Sequence, residues 1–217
     1  MDMTMKEQRK IRVVFFADVL KENTDGVTYT LFNIIRRIPK NKFEFIFITP
    51  DPPSDHVEMP FPVVVCPSIK LPFNRKYQLG FPFFSKKIKK TLKDFNPDII
   101  HFTTPSLVGY FALRYAIKHN IHILSTYHTH FVSYISYYFR FLPVISNLLV
   151  KFGWVLTRWF YNRCERVFVP TEPIVNEMID HGIERHRLTI WGRGIDTEKF
   201  NPSKKDDQYI NNLAGPH

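Results

Sequence analysis

Short apolar runs alternate with amphipathic segments along most of the chain, and this pattern constrains the fold more than any other feature. Several runs are apolar at successive positions, as in residues 13–16, which is typical of strands covered on both faces of a parallel sheet. The intervening segments suit crossover helices. The pattern therefore predicts an α/β fold with a doubly wound, mostly parallel, Rossmann-like sheet and helices on both faces. The predicted strands are 11–17, 43–49, 63–66, 98–102, 122–127, 166–170 and 187–191, and the predicted helices are 27–38, 83–95, 106–119, 143–163 and 172–181.

The cysteine content and the two most apolar regions indicate the compartment. Two cysteines in 217 residues exclude a disulfide framework and a cysteine-based metal cluster, which favours a reduced, cytoplasmic chain. The first ten residues mix acidic and basic side chains, which is unlike a signal peptide. The apolar region 141–157 is interrupted by Asn147 and Lys151, short of the roughly 18 apolar residues of a spanning helix. We expect a cytoplasmic protein that does not cross a membrane.

Turn-forming residues define the expected boundaries. Proline-rich segments at 51–54 and 67–72 predict loops, and His181-Gly182 predicts a helix end. After the last predicted strand, residues 204–217 are polar and show no periodicity. We therefore expect an amino-terminal extension over 1–10, one domain over 11–202 and a tail over 203–217.

The loop before the first predicted helix is one candidate binding site. Ligands of open α/β sheets bind at the carboxyl ends of strands, and residues 18–26 follow the first strand. Backbone amides near Gly26 and Val27 could hold a phosphate or a sugar hydroxyl, because unpaired donors and the positive end of the helix dipole lie there. The structural alternative is that Asp25 caps the helix and Gly26 makes the turn.

The segment after the fifth predicted strand is a second candidate. Tyr127, His128, Thr129 and His130 supply hydroxyl and imidazole groups that could hydrogen-bond a polyhydroxylated substrate. The two histidines could also share a metal, but no carboxylate or third histidine with ligand spacing accompanies them, so we expect no metal site. His101, which ends a neighbouring strand, is interpreted as a hydrogen-bonded core histidine.

The predicted helix 143–163 is almost entirely apolar. Its polar side chains form one narrow stripe at Asn147, Lys151, Arg158 and Asn162. A helix of this composition is either mostly buried or lies in a membrane interface, and both interpretations stay open. Cations outnumber anions over residues 134–166, which favours anionic lipid head groups. The membrane-interface candidates are Lys151, Trp154, Arg158 and Trp159.

The chain carries a formal net charge of +10, and lysines cluster over residues 86–93. Runs of charge usually form solvated faces, although this one adds to the membrane interpretation. No recognisable nucleic-acid-binding module, zinc motif or RNP-type motif accompanies the cluster. We therefore expect no nucleic-acid partner.

An ordered series of short motifs carries a family resemblance. The motifs are DGVT (25–28), NPDIIH (96–101), TP (104–105), TYHT (126–129), YY (137–138), VPT (169–171) and WGRGIDTEKFNP (191–202). Single motifs are weak, but their order and spacing together are specific. The series resembles the amino-terminal domain of family 4 glycosyltransferases, in particular the sulfoquinovosyltransferase-like and α-mannosyltransferase-like branch.

The resemblance implies one half of a GT-B fold, in which two Rossmann-like domains face a cleft. It implies a UDP- or GDP-linked sugar donor, transfer that retains the anomeric configuration, and no metal or other cofactor. By this analogy His128 is the catalytic residue that contacts the donor sugar near the reacting centre. The residues implied on the donor side are Gly26, Val27 and Arg193, and those on the acceptor side are Tyr127, Thr129, Tyr137 and Tyr138.

The resemblance covers only the first half of such an enzyme, because 15 residues follow Pro202. We therefore expect the acceptor-side domain of a retaining hexosyltransferase, with a lipid or glycan acceptor, at the cytoplasmic face of an anionic membrane. Such a domain would have little turnover alone and would work with a separate second GT-B domain, since both walls of the cleft orient the reactants. The alternative is a non-catalytic, membrane-associated binding or scaffold module that retains the fold.

Overall fold

The computed structural model describes residues 9–22, 24–70, 78–128, 132, 141–192, 194, 197–198 and 201–205. Within these residues, nine strands form two sheets. The strands are β1 (Ile11–Phe16), β2 (Phe43–Thr49), β3 (Val63–Val65), β4 (Ser68–Lys70), β5 (Gln78–Gly80), β6 (Ile99–Phe102), β7 (His122–Thr126), β8 (Arg166–Val169) and β9 (Leu188–Ile190). The main sheet has the order β3-β2-β1-β6-β7-β8-β9, and all its pairs are parallel. The predicted doubly wound Rossmann-like sheet is confirmed.

Five described α-helices connect the strands. They are α1 (Gly26–Ile35), α2 (Lys86–Phe95), α3 (Leu107–His119), α4 (Pro143–Tyr161) and α5 (Glu172–Asp180). Three short 3₁₀ turns lie at Pro82–Phe84, Arg185–Arg187 and Pro202–Lys204. Asn96 and Asn120 end α2 and α3 in the left-handed conformation, with φ of 47° and 53°. Pro39 follows α1 closely, which helps to explain why this helix ends before the predicted residue 38.

Side-chain alternation along the strands divides the core between the two faces of the main sheet. On one face, Val14 and Phe16 of β1 join a large cluster with buried residues of α2, α3, α4 and α5. On the other face, Phe15 joins a smaller, aromatic cluster that includes Phe32 of α1 and Phe47 of β2. Helices therefore lie on both faces, with α1 alone among the described helices contributing to the smaller cluster.

One predicted loop contains regular structure. Residues 67–72 were expected to form a loop, but β4 lies within this range and pairs with β5 in an antiparallel ladder. The Ser68 hydroxyl donates to the Gln78 side-chain oxygen at 2.7 Å, and the Gln78 amide donates to Asp51 at 3.0 Å. Strands of three mostly exposed residues carry too little hydrophobic alternation to be recognised from the sequence.

The two cysteines are buried and unbonded. Burial raises the pKa of the Cys66 thiol to about 11, so this side chain is a neutral core residue near pH 7. Within the part of the chain that the structure describes, no helix has both the length and the hydropathy needed to cross a membrane.

Candidate functional site

His128 lies just beyond β7, at the carboxyl edge of the main sheet. It lines a cavity of about 260 Å³ together with Phe15 of β1, Leu31 of α1 and Thr126 of β7. Most other lining residues are apolar. A polar group of a ligand in this cavity would therefore find few hydrogen-bonding side chains other than those of His128 and Thr126. The structure thus places the residue expected to be catalytic on the α1 face of the sheet, at the edge where α/β proteins bind ligands.

His101 lines the same cavity. Its Nε2 lies 2.8 Å from the Thr126 hydroxyl, and its ring centroid lies 4.5 Å from that of Phe15. Burial, together with a smaller effect of the nearby His128, lowers the pKa of His101 to about 3. The interpretation of His101 as a hydrogen-bonded core histidine is confirmed. Sequence reasoning missed its second property, which is that it places an imidazole that is neutral near pH 7 beside His128.

The start of α1 shows the predicted structural cap. The Asp25 carboxylate accepts from the Thr28 amide at 2.9 Å, and the Thr28 hydroxyl accepts from the Asp25 amide at 3.2 Å, which completes a capping box. Gly26 is different, because a Cβ built there would meet nothing within 4 Å and its φ is not positive. Neither backbone conformation nor packing in the described residues requires glycine, and the space beside Gly26 is open among these residues.

The start of α3 lies at the same edge of the sheet. A buried carboxyl from the loop after β1 lies beside it, and sequence reasoning missed this contact. Asp18, just beyond β1, lies near the hydroxyls of Ser106 and Thr104, and burial raises its pKa. The Ser106 hydroxyl in turn accepts from the Gly109 amide at 3.1 Å and so caps α3. Asp18 thus ties the end of β1 to the start of α3. A lone aspartate in a loop gives no sequence signal for such a contact.

Tyr127 does not occupy the predicted substrate position. It is 2% exposed and packs against Tyr161 of α4, with ring centroids 5.7 Å apart, in the large cluster on the other face of the sheet. The reason is alternation, since neighbouring residues at the end of a strand point to opposite faces. Tyr127 therefore stabilises the core, while Thr126 and His128 line the cavity.

Four other predicted substrate ligands lie outside the described residues. They are Thr129, Tyr137, Tyr138 and Arg193. A nearby residue that the site predictions missed is Trp191, which is partly buried and lines the cavity with His128. The signal was present, because Trp191 is the last residue of the last predicted strand and opens the WGRG motif.

The interpretation of α4 as a mostly buried helix is only partly correct, because the helix has a buried face and an exposed one. Trp154, predicted to lie in a membrane interface, is 6% exposed and stacks on His181 at 3.8 Å between ring centroids. That prediction is wrong, since the ring is enclosed by the core. Lys151 and Arg158 are exposed, and Trp159 is 37% exposed. Three of the four predicted membrane-interface residues therefore remain available.

Comparisons with known proteins agree with the sheet and with the motif order. A family model described as Glycosyltransferase Family 4 matches residues 24–199. A GDP-mannose-dependent alpha-mannosyltransferase of Corynebacterium glutamicum is 26% identical over 201 residues, covering 91% of this chain and 46% of the relative. An alpha-monoglucosyldiacylglycerol synthase of Streptococcus pneumoniae is 25% identical over 191 residues, covering 88% and 42%.

Among solved structures, Anabaena HepE in complex with UDP and glucose superimposes with a TM-score of 0.59 at 13% identity. The match covers 94% of this chain and 49% of HepE. At this identity the likeness concerns the fold alone. The chain spans about half the length of the curated relatives it matches.

Proposed function

The chain belongs to glycosyltransferase family 4, and on that premise we propose that it forms the acceptor-side domain of a retaining hexosyltransferase. The enzyme would transfer a hexose from a UDP- or GDP-linked donor to a lipid or glycan acceptor without a metal ion. The names of the mannosyltransferase and the glucosyldiacylglycerol synthase support a nucleotide-sugar donor and a lipid acceptor. A second GT-B domain, in the same polypeptide or a separate one, would supply the other wall of the cleft.

The observation that carries the proposal is the position of His128 beside a neutral His101 in a mostly apolar cavity at the carboxyl edge. As the bond between the sugar and the phosphate loosens, positive charge develops on the sugar ring. An imidazole held at this edge can hydrogen-bond the sugar hydroxyls and fix the reacting carbon in the required orientation. His101 stays uncharged and therefore adds no repulsion toward that developing charge.

The start of α1 would lie beside the donor diphosphate. Asp25 uses the Thr28 amide for its cap, while Gly26 and Val27 occupy the first two helical positions, where amides lack partners within the helix. The open space at Gly26 allows a phosphate oxygen to approach the backbone closely. The Asp25 carboxylate opposes a tightly bound anion, so the main diphosphate ligands would come from the second domain.

The proposal is tested by hexose transfer when a second family 4 domain is supplied in cis or in trans, with GDP-mannose or UDP-glucose as donor. His128→Ala should lower turnover about 10²-fold or more, because a contact made in the transition state is lost. The melting temperature should change little, since the residue is partly exposed at the cavity. His186→Ala is the matched control, because the His186 side chain is 71% exposed and contacts Glu184 at the surface, outside the cavity.

Equal, small effects of His128→Ala and His186→Ala would contradict the catalytic role. The alternative function, a membrane-associated scaffold without catalysis, is favoured by the exposed apolar face of α4. It predicts vesicle binding by the chain and no transfer with any second domain or donor.

A further inference from the structure

The outer face of α4 leaves a continuous apolar stripe uncovered by the described residues. Leu148, Phe152, Val155 and Trp159 are 68%, 58%, 51% and 37% exposed. Their spacing of four, three and four residues places them on one side of the helix, over about 17 Å at 1.5 Å per residue. Val144, Ile145 and Leu156, also exposed, extend and widen the same side. Apolar residues scattered singly on a surface need no explanation, but an aligned series of this length does.

The residues of the stripe do not contribute to the core. The inner face of α4 already supplies the core with Gly153, Trp154, Thr157, Phe160 and Tyr161, all of them buried. Phe160, for example, lies edge-on to Phe102 of β6, with ring centroids 4.9 Å apart. The fold therefore uses one face of the helix and leaves the other for something outside the described structure.

The charges on α4 and on the adjacent helix α3 have one sign. Helices α3 and α4 contain no aspartate or glutamate. Lys151 and Arg158 are exposed and seven residues apart, so they flank the stripe along one edge. Glu165, the first acidic residue after α4, is engaged by His122 at 2.9 Å. Helix α2 adds five lysines against Asp94 alone.

Aromatic rings and guanidinium groups meet at the carboxyl-terminal end of the stripe. The Trp159 ring lies 5.9 Å from that of Tyr110 on α3, and the Arg163 guanidinium lies 4.1 Å above the Trp159 ring. Arg114 packs similarly against Tyr110, at 5.8 Å. Tryptophan and tyrosine prefer the depth of lipid head groups, and arginine beside them can reach lipid phosphates.

We propose that the outer face of α4 docks on an anionic bilayer, with Leu148, Phe152 and Val155 at the acyl boundary and with Lys151 and Arg158 at the lipid phosphates. This surface rests on the lipid acceptor in the proposed function and would hold the domain at the bilayer that contains such an acceptor. The positive charge beside the stripe favours an anionic bilayer over a second copy of the chain as the partner. In a twofold dimer through this face, a patch flanked by cations would meet itself, at a net charge of +10 per chain.

The test is flotation of the chain with vesicles of phosphatidylcholine, alone or mixed with phosphatidylglycerol. Phe152→Glu should weaken partitioning into the anionic vesicles at least tenfold, whereas Ile69→Glu should leave it unchanged. Phe152 and Ile69 have the same exposure, 58%, and Ile69 lies on β4, outside the stripe. Lys151→Glu should also weaken binding, and added salt should reduce it, while Lys42→Glu, at another exposed lysine, should have a smaller effect.

Tryptophan quenching provides a second test, which uses conservative substitutions and so does not depend on whether Phe152→Glu folds. Brominated acyl chains should quench the tryptophan emission of the bound wild type. This quenching should largely disappear in Trp159→Phe and persist in Trp191→Phe. Equal binding by wild type and Phe152→Glu, or unchanged quenching in Trp159→Phe, would overturn this surface even if the chain binds vesicles elsewhere.

Two further outcomes would also overturn the surface. One is equal binding to neutral and anionic vesicles, and the other is a dimer in sedimentation that Phe152→Glu dissociates. Failure of hexose transfer, by contrast, would leave vesicle binding through α4 unaffected. The docking surface and the proposed transferase activity can therefore fail separately.

Discussion

Helices α1 and α3 begin at the same edge of the main sheet, yet one start is open and the other is sealed. Each is capped by a short polar side chain, Asp25 for α1 and Ser106 for α3. Each also has a glycine in its first turn. A Cβ at Gly26 would meet nothing within 4 Å, whereas a Cβ at Gly109 would overlap the carbonyl oxygen of Thr104.

The difference shows that a helix start at the ligand-binding edge is not by itself a ligand site. The start of α3 is already served by the protein's own carboxyl, because Asp18 is buried against Ser106 and Thr104. Its backbone also packs directly against the preceding loop. At α1 the cap is local and the glycine faces open space among the described residues, on the same side of the sheet as His128.

The sharpest way to break this comparison is the same substitution at both glycines. Gly109→Ala should destabilise the fold by at least about 3 kcal/mol, because a backbone carbonyl cannot move aside as a flexible side chain can. Gly26→Ala should change the free energy of unfolding by less than about 1 kcal/mol. Urea denaturation measures both. Similar stabilities for the two variants would show that the start of α3 is not sealed as described.

A second pair of substitutions, at the adjacent residues Tyr127 and His128, compares the two faces of the sheet. Tyr127→Ala should cost about 3 to 5 kcal/mol of unfolding free energy, because it empties a 2% exposed aromatic position in the large cluster. His128→Ala should cost far less, since this residue lines the cavity and is only partly buried. Thermal melts of both variants give the comparison. A large loss of stability in His128→Ala would mean that His128 supports packing.

The pH dependence of stability provides a third test, on the α1 side. The pKa of His101 is lowered from 6.5 to about 3 in the folded chain. Across that window the unfolded chain binds a proton that the folded chain excludes, so stability should fall with decreasing pH, by up to about 1.4 kcal/mol per pH unit. His101→Phe keeps a ring beside Phe15 and removes the titration. The difference between the two proteins should therefore show this slope, and parallel profiles would contradict burial of a neutral imidazole.

Asp18 should show an effect of opposite sign on the α3 side. Burial raises its pKa, so between the pKa of unfolded aspartate and that of the folded residue the folded chain holds a proton that the unfolded chain has lost. Stability should then decline as pH rises through that window. Asp18→Asn lacks this titration, and its stability relative to wild type should increase from acidic to neutral pH. A relative stability that stays flat or falls would show that Asp18 is not shifted by burial.

The sequence by itself determined the elements of the main sheet and the family. Strands such as β1 and β2 and helices such as α3 and α4 were predictable because their hydrophobic periodicity is local and survives in any tertiary context. The motif order around His128 was sufficient for the family, as the match over residues 24–199 confirms. The short β4–β5 pair was not predictable, because its residues carry no such periodicity.

Only the tertiary structure decided which way individual side chains face and what they meet. Tyr127 was predicted to contact substrate and Trp154 to contact a membrane. Both side chains instead point into the large core cluster, Tyr127 from the end of β7 and Trp154 from the inner face of α4. The pairing of Asp18 with Ser106 and the meeting of His101 and His128 join residues from different strands and loops. Such contacts depend on how segments that are distant in the sequence pack together. Local sequence patterns do not show which of these segments come into contact.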